Sequence, residues 1–162
     1  GKAVAQLLSV PFLDSDIELE KAANLTILEI FERHGEKFFR EKETQVISRL
    51  LSSQLCVLST GGGAFISDRN RAAISEHAVS VWLNVELDVL WHRVRNKGNR
   101  PLLKTSDPFG TLRSYYAKRQ MIYALADIEL RSNALNSIDE MALRVLTALR
   151  KKPGFIEETN NA

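Results

Sequence analysis

The chain has 162 residues, 44% hydrophobic and 26% charged, which is typical of one globular domain and excludes a largely disordered protein. Its formal net charge of +2 and its dispersed arginines argue against nucleic acid as a partner and favour a small anionic ligand. The sequence contains no apolar run of membrane length and no recognisable signal peptide, so we expect a cytoplasmic protein without a membrane partner.

Taken in chain order, a short amphipathic helix comes first, and the apolar stretch after it ends in Phe12-Leu13-Asp14-Ser15-Asp16. On an extended segment, carboxylates two residues apart project from one face. We therefore expect Asp14 and Asp16 to project together toward the glycine turn that comes later in the chain. Helix capping is the plainer interpretation of either aspartate taken alone.

Two helices are predicted next. Thr26-Ile27-Leu28-Glu29 has the form of a capping box that opens a short helix, and Gly35 can end it. In the longer helix that follows, Arg40 and Glu43 stand one turn apart. The acid could hold the guanidinium in position for an anionic ligand. A surface ion pair is the alternative.

A glycine triplet follows a predicted strand. The apolar run Leu55-Cys56-Val57-Leu58 is expected to be a strand buried on both faces, and Thr60-Gly61-Gly62-Gly63 comes after it. The glycines therefore stand where open α/β sheets place their ligand crevice, and their backbone can approach a small ligand closely. A flexible turn is the structural alternative. Cys56 has no partner for an internal disulfide and is predicted to be a buried structural thiol.

The second half of the chain continues to alternate strand and helix, which predicts a parallel sheet covered by helices. A strand is expected over Val79 to Leu83, and an amphipathic helix follows it. From Asn96 to Gly110 the composition turns to Lys, Asn, Gly, Pro, Ser and Asp, which predicts a mobile loop. A helix carrying Arg119 then precedes a strand near Ile128 to Leu130 and a last helix, and residues 153–162 are predicted to be a frayed tail.

As an ordered set, these segments resemble the shikimate kinases, whose pattern runs Asp-x-Asp, Gly-Glu-x-x-Phe-Arg-x-x-Glu, Thr-Gly-Gly-Gly-Ala, Arg-Pro-Leu-Leu and Arg-x-x-x-Tyr. The matching residues are Asp14 and Asp16, Gly35-Glu36 with Phe39-Arg40 and Glu43, Thr60 to Ala64, Arg100 to Leu103, and Arg119 with Tyr123. The resemblance implies a three-layer α/β/α P-loop kinase fold with a parallel sheet. It implies one domain over residues 1–162, with a helical substrate-binding segment at about 16–43 and a mobile lid at about 95–110.

The resemblance also implies an activity, the ATP-dependent phosphorylation of the 3-hydroxyl of shikimate in chorismate and aromatic amino acid biosynthesis. Asp16 would bind shikimate hydroxyls and orient or deprotonate the attacking one. Backbone amides in the Gly61–Gly63 turn would contact a ring hydroxyl. Arg40 and Arg119 would hold the substrate carboxylate, a task that suits planar, permanently charged guanidinium groups.

On the nucleotide side, the family implies ATP as co-substrate and Mg²⁺ as cofactor. Arg100, on the lid, would be a catalytic and nucleotide-binding residue that reaches the phosphates as the loop closes. Asp14 would lie near the magnesium ion and act through water, with the direct protein ligand expected in the phosphate-binding loop. The usual state of the family is a monomer.

One motif of such kinases is missing from the sequence. They begin with a strand and a GxxxxGK[ST] loop that cradles the nucleotide phosphates. Gly1-Lys2 is a poor match to its end, because Ala3 stands where a hydroxyl residue is required. We therefore expect a further strand and loop upstream in the natural protein. In the family that strand lies in the middle of the sheet, so two neighbouring strands would lack a partner without it.

Three functions stay open on the sequence alone. The first is an ATP-dependent shikimate kinase, and the second is a shikimate-binding pseudokinase that has lost its phosphate loop. Arg100 favours the first, because a pure carboxylate binder has no use for an arginine that reaches phosphate. The third, a kinase for another small polyol or for a nucleotide, is disfavoured by the two carboxylate-holding arginines, Arg40 and Arg119.

Overall fold

The computed structural model describes residues 1–95, 105–153 and 155. The strands in this part are β1 (Phe12–Asp14), β2 (Val57–Ser59), β3 (Val81–Val85) and β4 (Ile128–Ser132). The helices are α1 (Lys2–Leu8), α2 (Ser15–Ala23), α3 (Ile27–Ser53), α4 (Asp68–His77), α5 (Leu87–Val94), α6 (Pro108–Tyr123) and α7 (Ile138–Leu149), with a 3-10 helix at Ala64–Ile66. The predicted alternation of strands and helices is confirmed. None of the helices described combines the length and apolar character that a bilayer span requires.

The strands form two parallel pairs. β1 lies beside β2 with Leu13 opposite Leu58, and β3 lies beside β4 with Leu83 opposite Leu130. Within the described residues no ladder joins β2 to β3, so the two pairs are separate sheets.

The strand boundaries differ from the predicted ones. β2 begins at Val57, whose amide donates to the carbonyl of Pro11 over 2.9 Å, so the ladder starts two residues later than the apolar run. Leu55 is 65% exposed, and Cys56 is only partly buried. Val57 and Leu58 are also only partly buried, so the prediction of a run buried on both faces, with a buried thiol at Cys56, was wrong. Burial still raises the pKa of the Cys56 thiol.

Both helix signals around α3 are confirmed. The Thr26 hydroxyl accepts from the Glu29 amide over 3.2 Å, and the Glu29 carboxylate accepts from the Thr26 amide over 2.8 Å, which is the predicted capping box. Gly35 interrupts the helix with φ 78° and ψ 174°, a conformation that side-chain-bearing residues rarely adopt. The chain therefore bends at Gly35 and continues as the longer helix that carries Arg40.

Apolar clusters hold the helices in place. Val4 of α1 and Val145 of α7 belong to one cluster, and Phe155, in the segment predicted to be frayed, packs against it. Leu19 of α2 and Phe39 of α3 belong to a second cluster and are at most 4% exposed. The second cluster fixes α2 against α3, and these two helices carry the acidic and basic side chains of the candidate site.

Candidate functional site

The turn after β2 is where the predicted site residues meet. A Cβ atom on Gly61 would lie 3.1 Å from Oδ1 of Asp16, and one on Gly63 would lie 2.6 Å from Nη2 of Arg40. A Cβ atom on Gly62 would lie 3.7 Å from Nη1 of Arg119. Each glycine thus faces a different charged side chain, and the lack of side chains on the turn is what lets the three groups converge.

The geometry of Asp14 and Asp16 corrects the sequence prediction. Asp14 ends β1 and caps α2, because its Oδ1 accepts from the amides of Asp16 over 3.0 Å and Ile17 over 3.5 Å. Asp16 therefore stands in the first turn of a helix, not on an extended segment. The expectation that both carboxylates project from one face of a strand was wrong, and the capping interpretation is confirmed for Asp14.

Arg40 is held by two carboxylates of its own helix. Its Nη1 donates to Oε2 of Glu43 over 2.9 Å, and its Nη2 donates to Oε1 of Glu36 over 3.2 Å. Burial lowers the pKa of Arg40, but the two carboxylates outweigh burial and raise it, so the guanidinium stays charged. The predicted Arg40–Glu43 pair is confirmed.

Burial is also the largest influence on the pKa of Glu43, whose side chain is 2% exposed. It raises the pKa of this carboxyl group, Arg40 partly offsets the rise, and the negative charges of Asp16 and Glu36 add to it. The ionisation of Glu43 therefore depends on both its burial and its pairing with Arg40.

Arg119 lies on α6, on the face that meets the glycine turn. Its guanidinium stacks over the ring of Tyr115, with Cζ 4.7 Å from the ring centroid. Tyr123, one helical turn further on, donates from its hydroxyl to the carbonyl of Gly62 over 2.5 Å. The sequence motif pairs Arg119 with Tyr123, but it does not indicate this hydrogen bond.

Two residues that support the turn were missed by the sequence analysis. Nδ2 of Asn70 donates to the carbonyl of Ala64 over 2.9 Å. Nη1 of Arg71 donates to the carbonyls of Phe65 and Ile66 over 2.7 and 2.9 Å. Both stand near the start of α4, directly after the glycine turn, and that nearness was the signal available in the sequence.

A cavity of about 380 Å³ opens beside the turn, a volume that suits a small-molecule ligand. Thr60 and Gly62 lie on one side, Trp82 of β3 on another, and Arg119 and Tyr123 of α6 on a third. Asp16 and Arg40 meet the same turn at its other two glycines. The walls are mostly apolar and aromatic.

Two sequence predictions concern the nucleotide and its metal. Arg100 lies outside the described residues, as does most of the predicted lid. Among the residues described, no group of three His, Cys, Asp or Glu is placed to hold a metal ion. Asp14 offers a carboxylate at a strand end, and one carboxylate fits Mg²⁺ bound through water, since this ion usually keeps several of its waters.

Fold and site together define an α/β protein with parallel strands, in which two guanidinium groups and a carboxylate meet a glycine turn at a strand end, beside a small-molecule pocket that Arg119 lines. This arrangement suits a ligand that carries both a carboxylate and hydroxyl groups.

Comparison with known proteins agrees with this class. The family model for shikimate kinase matches residues 1–150. The shikimate kinase of Ruegeria pomeroyi is 55% identical over 157 residues, 97% of this chain and 80% of the relative. That of Cereibacter sphaeroides is also 55% identical over 157 residues, 97% of this chain and 78% of the relative.

Solved structures agree as well. The shikimate kinase of Acinetobacter baumannii in complex with shikimate superimposes with a TM-score of 0.88 at 34% identity, covering 93% of this chain and 84% of that chain. The chain belongs to the shikimate kinase family, whose members are phosphotransferases.

Proposed function

We propose that this protein transfers the γ-phosphoryl group of ATP to the 3-hydroxyl of shikimate, giving shikimate 3-phosphate for chorismate and aromatic amino acid biosynthesis. The observation that carries the proposal is the convergence of Asp16, Arg40 and Arg119 on the three glycines after β2. Shikimate has one carboxylate and three hydroxyl groups, and this set of side chains offers a partner for each kind of group.

Asp16 is the acceptor-activating residue in this proposal. Its carboxylate approaches the turn at Gly61, and it would accept hydrogen bonds from the shikimate hydroxyls. It would orient the attacking 3-hydroxyl and take its proton as the oxygen bonds to phosphorus. Backbone amides of Gly61, Gly62 and Gly63 would contact a neighbouring ring hydroxyl.

Arg40 and Arg119 would hold the shikimate carboxylate. Their guanidinium groups approach the turn at Gly63 and Gly62 from α3 and α6. A planar carboxylate between two charged guanidinium groups can form several charge-assisted hydrogen bonds at once, which fixes the orientation of the ring. Orientation is a large part of catalysis here, because phosphoryl transfer requires an in-line approach.

On the nucleotide side, we assign Arg100 to the phosphates of ATP, and Asp14 to Mg²⁺ through water. The ion would neutralise charge on the transferring phosphoryl group. Arg100→Ala should lower turnover sharply and leave shikimate binding nearly intact. Full turnover of that variant at saturating substrates would remove the assignment. We further propose a cytoplasmic monomer with no nucleic-acid or membrane partner.

The first test is a coupled ADP-release assay with shikimate and Mg·ATP. It is run on the full-length gene product and on residues 1–162 alone. We expect shikimate-dependent ADP release from the full-length protein. Shikimate binding without ADP release from either would instead make the protein a binding module.

Two variants of the full-length protein sharpen this test. Asp16→Asn keeps the shape of the side chain but removes the base, and turnover should fall by about 100-fold or more. Glu41→Gln removes an exposed carboxylate from α3 and should leave turnover within about twofold. Equal turnover of the two variants would contradict the role of Asp16.

A further inference from the structure

The glycine turn is tied to α6 through Tyr123. The phenol hydroxyl donates to the carbonyl of Gly62 over 2.5 Å. A Cβ atom on Gly62 would lie 3.4 Å from the hydroxyl oxygen of Tyr123. The ring lies against Trp82 of β3 and Phe65 of the 3-10 helix, with centroid distances of 6.0 and 6.5 Å. Tyr123 therefore has a packed ring and a hydroxyl aimed at one backbone atom of the site.

The two arginines of the site are held in different ways. Arg40 has two carboxylate partners on its own helix, Glu36 and Glu43. Arg119 has no carboxylate within ion-pair distance among the described residues, and its stacking partner, Tyr115, lies on the same helix. The position of Arg119 relative to the turn therefore depends on how α6 is fixed against that turn.

Tyr123 is well placed to fix α6 against the glycine turn. Residues four apart on a helix lie on one face, so Arg119 and Tyr123 approach Gly62 together. The 3-10 helix that follows the turn is itself anchored, because Arg71 donates to the carbonyls of Phe65 and Ile66. The hydrogen bond from Tyr123 to Gly62, next to this anchored helix, therefore fixes the position of α6 relative to the turn.

We propose that Tyr123 is a positioning residue for the substrate carboxylate: its hydrogen bond to Gly62 sets the separation between the glycine turn and Arg119. This inference rests on the proposed function, in which the turn binds ring hydroxyls and Arg119 binds the carboxylate. The hydroxyl acts through Arg119 and Gly62. Both of these residues are assigned contacts with the substrate, whereas Tyr123 is not.

The test is a set of shikimate dissociation constants measured by calorimetry on the full-length protein. Tyr123→Phe removes the hydroxyl and keeps the ring. It should raise the Kd and KM for shikimate about 3- to 10-fold, the range of one net hydrogen bond, with the KM for ATP unchanged. 4-Aminophenylalanine at position 123 restores a donor and should bring the Kd back to within about twofold of wild type. This variant also covers the case in which Tyr123→Phe does not fold.

A matched control separates positioning from general stability. Thr147 on α7 donates from its hydroxyl to the carbonyl of Leu143 over 2.9 Å. Thr147→Val removes a hydroxyl-to-carbonyl bond away from the site, so it should leave the shikimate Kd unchanged.

A double variant tests the route through Arg119. If the hydroxyl acts by placing Arg119, Tyr123→Phe and Arg119→Lys together should weaken binding by less than the product of their separate fold-changes. Wild-type affinity in Tyr123→Phe, or fold-changes that multiply, would overturn the inference alone. No shikimate binding by the wild-type protein would overturn the proposed function, and the inference with it.

Discussion

Nη1 of Arg40 lies 2.9 Å from Oε2 of Glu43, a side chain that is only 2% exposed. Glu36, the second partner of the same guanidinium, lies 3.2 Å from Nη2 with 61% of its side chain exposed. Water competes for the exposed pair far more than for the buried one. The orientation of Arg40 therefore depends mainly on Glu43.

This difference predicts unequal effects of two matched substitutions. Glu43→Gln keeps the shape of the side chain but removes its charge. It should raise the KM for shikimate about 10-fold or more, because a hydrogen bond to a charged group contributes about 1.5–3 kcal/mol. Glu36→Gln should change the KM about twofold at most. Steady-state kinetics at saturating ATP measure both effects. Equal effects would show that burial of the carboxylate does not determine which partner orients Arg40.

The close approach of Gly63 to Arg40 predicts a loss of binding without a loss of fold. The backbone of Gly63, at φ −86° and ψ −22°, is open to any residue. The Cβ atom of Gly63→Ala would lie 2.7 Å from Cζ of Arg40, and the flexible arginine can move away. Calorimetry should therefore show shikimate affinity reduced about 10-fold or more, the scale of one charge-assisted hydrogen bond, with the melting temperature nearly unchanged.

Gly62→Ala is the matched control for that prediction. Its Cβ atom would lie 3.4 Å from the hydroxyl oxygen of Tyr123 and 3.7 Å from Nη1 of Arg119, distances close to ordinary contact. Its effect on shikimate affinity should be the smaller of the two. A larger loss for Gly62→Ala than for Gly63→Ala would contradict the geometry of the turn.

The features that depend on local patterns could be predicted from the sequence. The capping box at Thr26 and the Arg40–Glu43 pair each lie within one helical turn, so residue spacing determines them. The positions of Asp14 and Asp16 were misjudged, because the spacing of two residues was read as extended although Asp14 ends the strand and caps the next helix.

Contacts between segments that are distant in the chain could not be predicted from the sequence. Tyr123 and Gly62 are 61 residues apart, and no periodicity relates the two positions. The resemblance to a family identified which side chains to expect at the site, but not that each glycine faces a different one. That correspondence follows from the packing of α2, α3 and α6 around one turn.

The backbone conformation of Gly35 predicts that adding a single methyl group at this position destabilises the fold. Its φ of 78° with ψ of 174° lies in a region almost confined to glycine, and nothing lies within 4 Å of a Cβ atom placed there. Gly35→Ala should therefore lower the free energy of unfolding by about 1–3 kcal/mol through backbone strain alone. Urea unfolding measures the change. Glu41→Ala, an exposed position on the same helix, should stay within about 0.5 kcal/mol.

The starts of β3 and β4 are joined through a carboxylate. Asp127 accepts from the hydroxyl of Ser80 over 2.6 Å and from its amide over 2.9 Å. Lys152 lies 3.7 Å from the other carboxylate oxygen. The hydrogen bond from the Ser80 hydroxyl is the largest cause that lowers the pKa of Asp127. Burial opposes this lowering, and the Ser80 amide and Lys152 add to it.

A lowered native pKa makes the stability that Asp127 supplies depend on pH. Above the unfolded-state value of about 3.9, the charged form favours the folded protein in full, and this contribution is lost as the pH falls through the lower native value. Urea unfolding should show the wild type more stable than Asp127→Asn by a constant amount from pH 7 to about 5, and the gap should narrow toward pH 3. Ser80→Ala should show the same trend against wild type, because it removes the main donor. A gap that stays constant or widens down to pH 3 would mean that the carboxylate gains nothing from Ser80 in the folded state.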